Sequence, residues 1–300
     1  MAKELSTAVL GRTNLRVTRL GYGAMAVRDV ADDVAEKVLN AVLDAGINFI
    51  DTSIDYGRSE ELIGKYVSHR RPEFYLASKC GCAVLPEAMA EGRHVYTREN
   101  IIAGVNQSLA RMKTEYLDIV QFHGNPSKDT LDEDAAIETL RDLQTDGKIR
   151  YLGSSSTLPN IEDHSRMGVF DEFQIPYSAL ERQHENWITV LSNAGVGTVI
   201  RGGAAKGEPG ASSQGPSERW EKFAQAKLDD LREEGETRTA FILRHTLSHP
   251  QVHTTIVGTQ NNAHLQENMK SALLGPLSPD VYAEANRRLD EIGETPAKES

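Results

Sequence analysis

Cysteine is scarce in this chain of 300 residues: Cys80 and Cys82 are the two it has. Spaced C-x-C on a strand, they point the same way and cannot easily bridge. No His or Cys cluster accompanies them in the sequence, so the reading is two reduced thiols, with neither a disulfide framework nor a metal site. Long apolar runs are missing as well. None approaches the roughly 20 residues of a membrane span. The opening MAKELSTAVL has no basic stretch leading into an apolar one, so no secretory route is expected and the implied location is cytoplasmic. Positive charge is in deficit: Lys and Arg number 33 against 44 Asp and Glu, a formal net charge of -11. An acidic chain with basic clusters no longer than His69-Arg70-Arg71 is a poor partner for nucleic acid or an anionic membrane. A full glycine-rich turn is also wanting. Gly21-Tyr22-Gly23-Ala24-Met25-Ala26 lacks the third glycine that a doubly wound dinucleotide-binding sheet usually carries.

What the chain does have is alternation. Apolar, strand-like runs fall at 18–24, 46–50, 74–78, 117–122, 149–153, 172–176, 196–200 and 253–257. Helical patterns lie between and after them, at 30–45, 58–69, 98–113, 132–147, 159–167, 184–194, 217–234, 238–248 and 279–292. Apolar strands separated by helices argue for a parallel sheet covered by helices. Eight of them fit a single (β/α)8 barrel domain over 1–300. Residues 7–17 read as a hairpin turning at Gly11 and closing the barrel bottom. Residues 202–216 are a Gly/Ser/Pro-rich stretch, read equally as a slack connection or a mobile loop over a ligand. The tail at 293–300 (GETPAKES) is expected to fray.

Four short segments stop abruptly at a polar residue: GINFIDTSIDYGRSE at 46–60, FYLASKC at 74–80, DIVQFHG at 118–124 and IRYLGSSS at 149–156. Their polar ends are Asp51 with Tyr56, Lys79, His123 and Ser155; Gln174 and Arg201 end two later strands. In a barrel all of these converge on the C-terminal rim, where active sites lie. Singly, each has a plain structural use, such as a helix cap or packing. Together they are the types that deliver a proton to a carbonyl oxygen. A lysine cation beside a tyrosine lowers the pKa of that reluctant acid, and a carboxylate holds the lysine charged. Tyr56 is then the general acid, Lys79 its tuner, Asp51 the partner of the lysine, and His123 the group that orients the carbonyl.

These segments resemble the aldo-keto reductase superfamily from about residue 8 to 272. Gly46 to Glu60 is similar to the stretch around its catalytic aspartate and tyrosine, and SLARMKTEYLDIVQFHG (108–124) to the helix and strand leading to its histidine. GKIRYLGSSS (147–156) is similar to its nicotinamide-amide strand, and IVGTQNNAHLQEN (256–268) to its adenosine motif. The resemblance implies NADP(H), with NAD(H) as the other possibility, and reversible reduction of a small-molecule aldehyde or ketone. Carried over by position, Asp51, Tyr56, Lys79 and His123 are catalytic. Ser155, Ser156 and Gln174 would hold the carboxamide; Gly23, Ala24 and Met25 would line the nicotinamide side. Gly202 and Lys206 fall on the loop toward the pyrophosphate. Gly258, Thr259, Gln260, His264, Glu267 and Asn268 would surround the adenosine.

Three departures from the family stand out, at Ser156, at Arg201 and at the pair Gln260 and His264. Ser156 replaces its usual asparagine. Arg201 stands where an aromatic commonly stacks on the nicotinamide, and Gln260 and His264 stand where Arg or Lys often meets the 2′-phosphate. A guanidinium can stack on a ring. Alternatively Arg201 binds an anionic or sugar-like substrate, or merely pairs with a rim acid such as Glu181. A cofactor-sensing regulatory subunit and a non-redox barrel isomerase or lyase are the other function classes. Substrate identity and oligomeric state are not readable from the sequence.

Overall fold

The computed structural model describes residues 4–209 and 217–298. Strands β1 (Thr7–Val9) and β2 (Arg16–Thr18) pair antiparallel as a separate hairpin. Eight further strands close a parallel barrel: β3 (Leu20–Gly23), β4 (Phe49–Asp51), β5 (Tyr75–Cys80), β6 (Leu117–Phe122), β7 (Ile149–Ser155), β8 (Glu172–Pro176), β9 (Gly197–Arg201) and β10 (Thr254–Val257). Their order around the barrel is the chain order, with β10 returning to β3. The strand interiors are apolar because both faces are covered, by other strand side chains inside and helices outside. The largest apolar cluster runs between strands and helices, through Val38, Leu62, Val105, Leu140 and Ile188.

The hairpin closes the barrel bottom as expected. Leu10, Leu15 and Val17 pack with Phe49, Ala77, Ile119 and Val199, and Arg12 N donates to Gly195 O at 2.7 Å. Its turn is broader than a single glycine: Gly11–Thr13 form a 3-10 turn that ends at a left-handed Asn14. Several helix boundaries also differ from the sequence pattern. The 58–69 pattern splits into Ser59–Tyr66 and a 3-10 segment Ser68–Glu73 that contains Pro72, a residue that cannot continue the ladder of hydrogen bonds. The 217–234 pattern stops at Gln225, and Lys227 turns left-handed before the 3-10 turn Leu228–Leu231. The 132–147 pattern begins at Ala136, after a separate helix Lys128–Glu133. A short helix, Pro86–Glu91, also lies between β5 and the 98–113 pattern, where no helical pattern is expected.

Helix starts follow capping chemistry. The side chains of Ser127, Thr237, Asn261 and Ser278 each accept from a backbone N–H in the first turn. The tail does not fray within the described residues. Ala297 N donates to Gln183 O at 3.0 Å, and Glu294 accepts from Arg182 N and from Lys222. The tail expectation at 299–300 and the loop expectation at 210–216 lie outside the described residues.

Candidate active site

Strand register decides which side chains meet at the C-terminal rim. Asp51 lies level with Gly23 on one side and Ala77 on the other. Two residues further along β5, Lys79 pairs with Gln121. Lys79 Nζ donates to Asp51 Oδ2 at 2.8 Å, Asp51 Oδ1 at 3.0 Å and Thr52 O at 2.7 Å. The lysine side chain is fully enclosed. Asp51 Oδ1 also accepts from Gln174 Nε2 at 2.8 Å and from Gln121 Nε2 at 3.4 Å. Burial works against a charge on Lys79, but the neighbouring Asp51 charge and the Tyr56 oxygen outweigh it and raise the pKa above the ordinary lysine value.

Tyr56 is carried over this pair by a tight turn. Its N–H donates to Ser53 O at 3.1 Å, and Gly57 follows at φ +48. A Cβ at Gly57 would lie 2.7 Å from Arg28 O, so a side chain there would force the turn apart. Lys79 Nζ stands 4.9 Å from the Tyr56 ring centroid. The His123 ring meets Tyr56 edge-on, with centroids 5.8 Å apart. The expected tuning of Tyr56 is corrected in one respect. Burial raises its pKa, and the opposing pull of Lys79 does not overcome it. Tyr56 is therefore a protonated phenol before any ligand binds, with its proton available to donate.

His123 is held by residues the motif reading did not single out. Its Nδ1 lies 3.3 Å from Ser53 Oγ, 3.3 Å from Cys82 Sγ and 3.4 Å from Asp55 Oδ1. Burial lowers the His123 pKa despite Asp55. Burial would raise Asp55, yet hydrogen bonds from His123, Ser53 and Arg93 hold it well below the usual carboxylate range. His94 packs edge-on against His123, centroids 5.2 Å apart. Asp55 sits one residue before Tyr56 and could have been noticed; His94 could not, because an isolated antiparallel bridge to Cys82 brings it in. Glu172 was also missed. It is fully buried on β8, neither carboxylate oxygen has a hydrogen-bond partner, and burial pushes its pKa up. Burial there favours its protonated form over the charged one.

The remaining predicted residues occupy the arc formed by β9, β10 and β3, with β7 and β8 beside it. Ser155 Oγ reaches Gln174 Oε1 at 3.5 Å. Ser156 is not brought to the same place. It is fully buried, and its hydroxyl bonds Asn125 Oδ1 at 3.1 Å and His164 Nδ1 at 2.9 Å. Gly258 lies against Gly23: a Cβ on it would come within 2.6 Å of Gly23 O. Ala24 is enclosed while Met25 is 42% exposed. Gly202 (φ +74) and Lys206 (φ +63) bend the loop after β9. Gly258 and Gln260 are exposed, Thr259 and Asn268 buried, and His264 and Glu267 half-buried. Glu267 accepts from Thr237 Oγ1 at 2.7 Å. Helix Asn262–Leu274 starts beside Gly258, so its free N–H groups open onto this arc.

Arg201 ends β9 half-buried. Glu181, its expected acid, is instead ion-paired with Arg219 at 2.9 Å. Among the described residues no hydrogen bond or ion pair to the Arg201 side chain is formed. Burial lowers its pKa, opposed by the charges of Glu181, Tyr56 and Asp51.

The Aldo/keto reductase family model matches residues 19–290. Oxidoreductase YqkF of Bacillus subtilis, uncharacterised, is 29% identical over 282 residues, covering 88% of this chain and 90% of that one. A probable voltage-gated potassium channel subunit beta of Oryza sativa subsp. japonica is 26% identical over 315 residues, covering 91% and 93%. The holo form of an aldo-keto reductase from Bacillus halodurans superposes with a TM-score of 0.83 at 26% identity, over 95% of this chain and 96% of that one.

Proposed function

The chain belongs to the aldo/keto reductase family, and from that premise we propose that it reduces an aldehyde or ketone to the alcohol with NAD(P)H, Tyr56 donating the proton. It is an enzyme of an oxidoreductase family. Members of the family bind nicotinamide cofactors; the choice between NADPH and NADH is part of the proposal. The observation that carries the reading is the enclosed Lys79, held by Asp51 and set 4.9 Å from the Tyr56 ring at the barrel rim.

The residues present fit a nicotinamide dinucleotide. Gly23, Gly202 and Gly258 leave backbone bare along one arc, where an extended flat ligand can lie close. The start of helix Asn262–Leu274 supplies N–H groups suited to phosphate. Ser155 and Gln174 stand where a carboxamide would be held, while Gly258, Thr259, Gln260, His264, Glu267 and Asn268 surround the adenosine end. When bound, the cofactor supplies the hydride. The protein's share is the proton and the field. Tyr56 gives its hydroxyl proton to the carbonyl oxygen as negative charge grows there. Lys79, kept charged by Asp51, stabilises the tyrosinate left behind. His123, whose pKa burial lowers, orients the carbonyl by hydrogen bonding. Its Nδ1 is engaged by Ser53, Cys82 and Asp55, which fixes the ring.

Arg201, without a side-chain partner among the described residues, supports an anionic substrate group as its partner. A guanidinium gives a carboxylate, phosphate or sulfonate two parallel hydrogen bonds. The likeness to a channel beta subunit favours one second reading, a regulatory subunit that senses its cofactor without rapid turnover. Titration with NADPH and with NADH, followed by fluorescence, tests the cofactor; consumption of the bound cofactor with a panel of neutral and anionic carbonyls tests the activity. Binding with turnover is expected. Tight binding without turnover would favour the regulatory reading, and binding of neither cofactor would defeat both.

A further inference from the structure

The tertiary structure gathers a set of metal-ligand types that the sequence spreads over about 70 residues. One atom each from Asp55, Cys82, His94 and His123 lies within 4.8 Å of every other. Two of the separations are 3.3 Å, from Cys82 Sγ to His123 Nδ1, and 3.4 Å, from Asp55 Oδ1 to His123 Nδ1. A tetrahedron with metal–ligand bonds of about 2.0–2.3 Å has edges of about 3.3–3.8 Å. The scaffold is fixed rather than accidental. Cys82 and His94 face each other across an antiparallel bridge, flanked by Ala83 N to Arg93 O at 3.0 Å and Val95 N to Gly81 O at 2.7 Å. Residues opposed in this way present their side chains on the same face. Among the described residues, buried His94 Nε2 has no hydrogen-bond partner. Asp55 divides its oxygens: Oδ2 takes Arg93 at 2.7 Å, while Oδ1 turns toward Ser53 and His123. Arg93 is therefore a competing cation, but it sits on the far oxygen and its side chain is 73% exposed. A cavity of about 320 Å³ opens against Asp55, Cys82 and Arg93 and gives an ion a way in.

We propose that Asp55, Cys82, His94 and His123 form a tetrahedral site for a divalent d-block cation, Zn2+ above all, and that the bound ion inhibits carbonyl reduction. A thiolate with two imidazoles favours zinc over magnesium or calcium. On binding, the Cys82 thiol loses its proton to solvent, the His123 ring proton moves from Nδ1 to Nε2, and the ion takes the freed Nδ1 lone pair. Inhibition follows because closing atoms up to 4.8 Å apart onto one ion draws the His123 ring away from the place where it orients the carbonyl; this half rests on the reductase reading, whereas the site itself does not.

The test is a titration of the full-length protein, stripped with a chelator, with CoCl2 alone. The expected result is one ion per chain, a sulfur-to-cobalt charge-transfer band, intense visible bands of a four-coordinate ion, and displacement by ZnCl2. Cys82→Ser should abolish the charge-transfer band, and His94→Gln should weaken binding at least about tenfold. No such band in the unmodified protein would overturn the site, as would its persistence in Cys82→Ser or an unchanged affinity in His94→Gln. ZnCl2 should also inhibit turnover, with the inhibition curve displaced in His94→Gln by the same factor as the binding curve. Inhibition that ignores His94 would overturn the inhibitory role. Cobalt bands in a protein that reduces no carbonyl would leave the site standing and count against the reductase reading instead.

Discussion

The two arcs of the barrel rim are built on opposite plans. On β4, β5 and β6 the working groups are buried side chains locked by one another: Lys79 on Asp51, Asp51 on Gln174, His123 among Ser53, Asp55 and Cys82. On β9, β10 and β3 the surface is largely glycine backbone and exposed polar side chains, with Gly258 and Gln260 open to solvent. The contrast follows from the work each arc is proposed to do. Stabilising a charge as it forms needs fixed dipoles in a dry setting. Holding a long ligand needs close backbone approach and N–H groups, and those tolerate solvent.

The sharpest way to break the contrast is Tyr56→Phe, which removes the acid and leaves the glycine arc alone. kcat should fall by about 10²–10⁴ while the cofactor Kd stays nearly constant; steady-state kinetics beside a fluorescence titration would show it. A parallel loss of cofactor affinity would mean that the arcs are not separable. Lys79→Met strips one partner from a buried pair and should cost about 3–5 kcal/mol of stability, part of which Asp51→Asn in the same chain should restore. Urea unfolding of the single and double variants measures this. Arg201→Ala should raise KM for anionic carbonyls about 10–100-fold and leave neutral ones little changed; an equal rise for both would assign Arg201 to the cofactor.

Acid should find the second arc first. His184, His249 and His253 are pushed down to about 4 and His245 to about 3, in each case chiefly by burial. His253 bonds Thr198 on β9, His245 and His249 pack against Tyr177 just after β8, and His184 Nε2 accepts from Leu158 N. The folded chain keeps them neutral while the unfolded chain protonates them near the usual value of about 6.5. Their stabilisation is therefore complete above about pH 6.5 and is lost as pH falls toward 4, with a slope of up to about 1.4 kcal/mol per pH unit for each. Urea midpoints at pH 7 and pH 5 should differ accordingly. The smallest effect expected is at the far end of that arc. Gln260→Arg should improve NADPH over NADH by about tenfold, roughly one charge-assisted hydrogen bond.

The fold was legible because its signals are local. Short apolar runs separated by helical patterns mark a parallel sheet, and the absent third glycine after Tyr22 argued against the doubly wound rival. The polar strand ends Asp51, Lys79 and His123 were legible for the same reason: a barrel sends every strand end to one rim. The glycine-arc residues came from resemblance, and there the outcome is mixed. Ser155 and Gln174 share the rim, whereas Ser156 turns inward to His164 and Asn125. Helix ends were misjudged where a left-handed residue or a proline interrupts an otherwise periodic pattern, as at Lys227 and Pro72.

By itself, then, the sequence determined the barrel, the rim and the residue types available for proton transfer, since periodicity and strand-end position are properties of neighbouring residues. Tertiary structure alone decided how those groups are coupled. Burial keeps Tyr56 protonated against the pull of Lys79. Glu181 goes to Arg219, and among the described residues Arg201 has no ion-pair partner. A single bridge sets His94 beside Cys82. Each depends on desolvation and on contacts between distant segments, and neither is written in the order of residues along the chain.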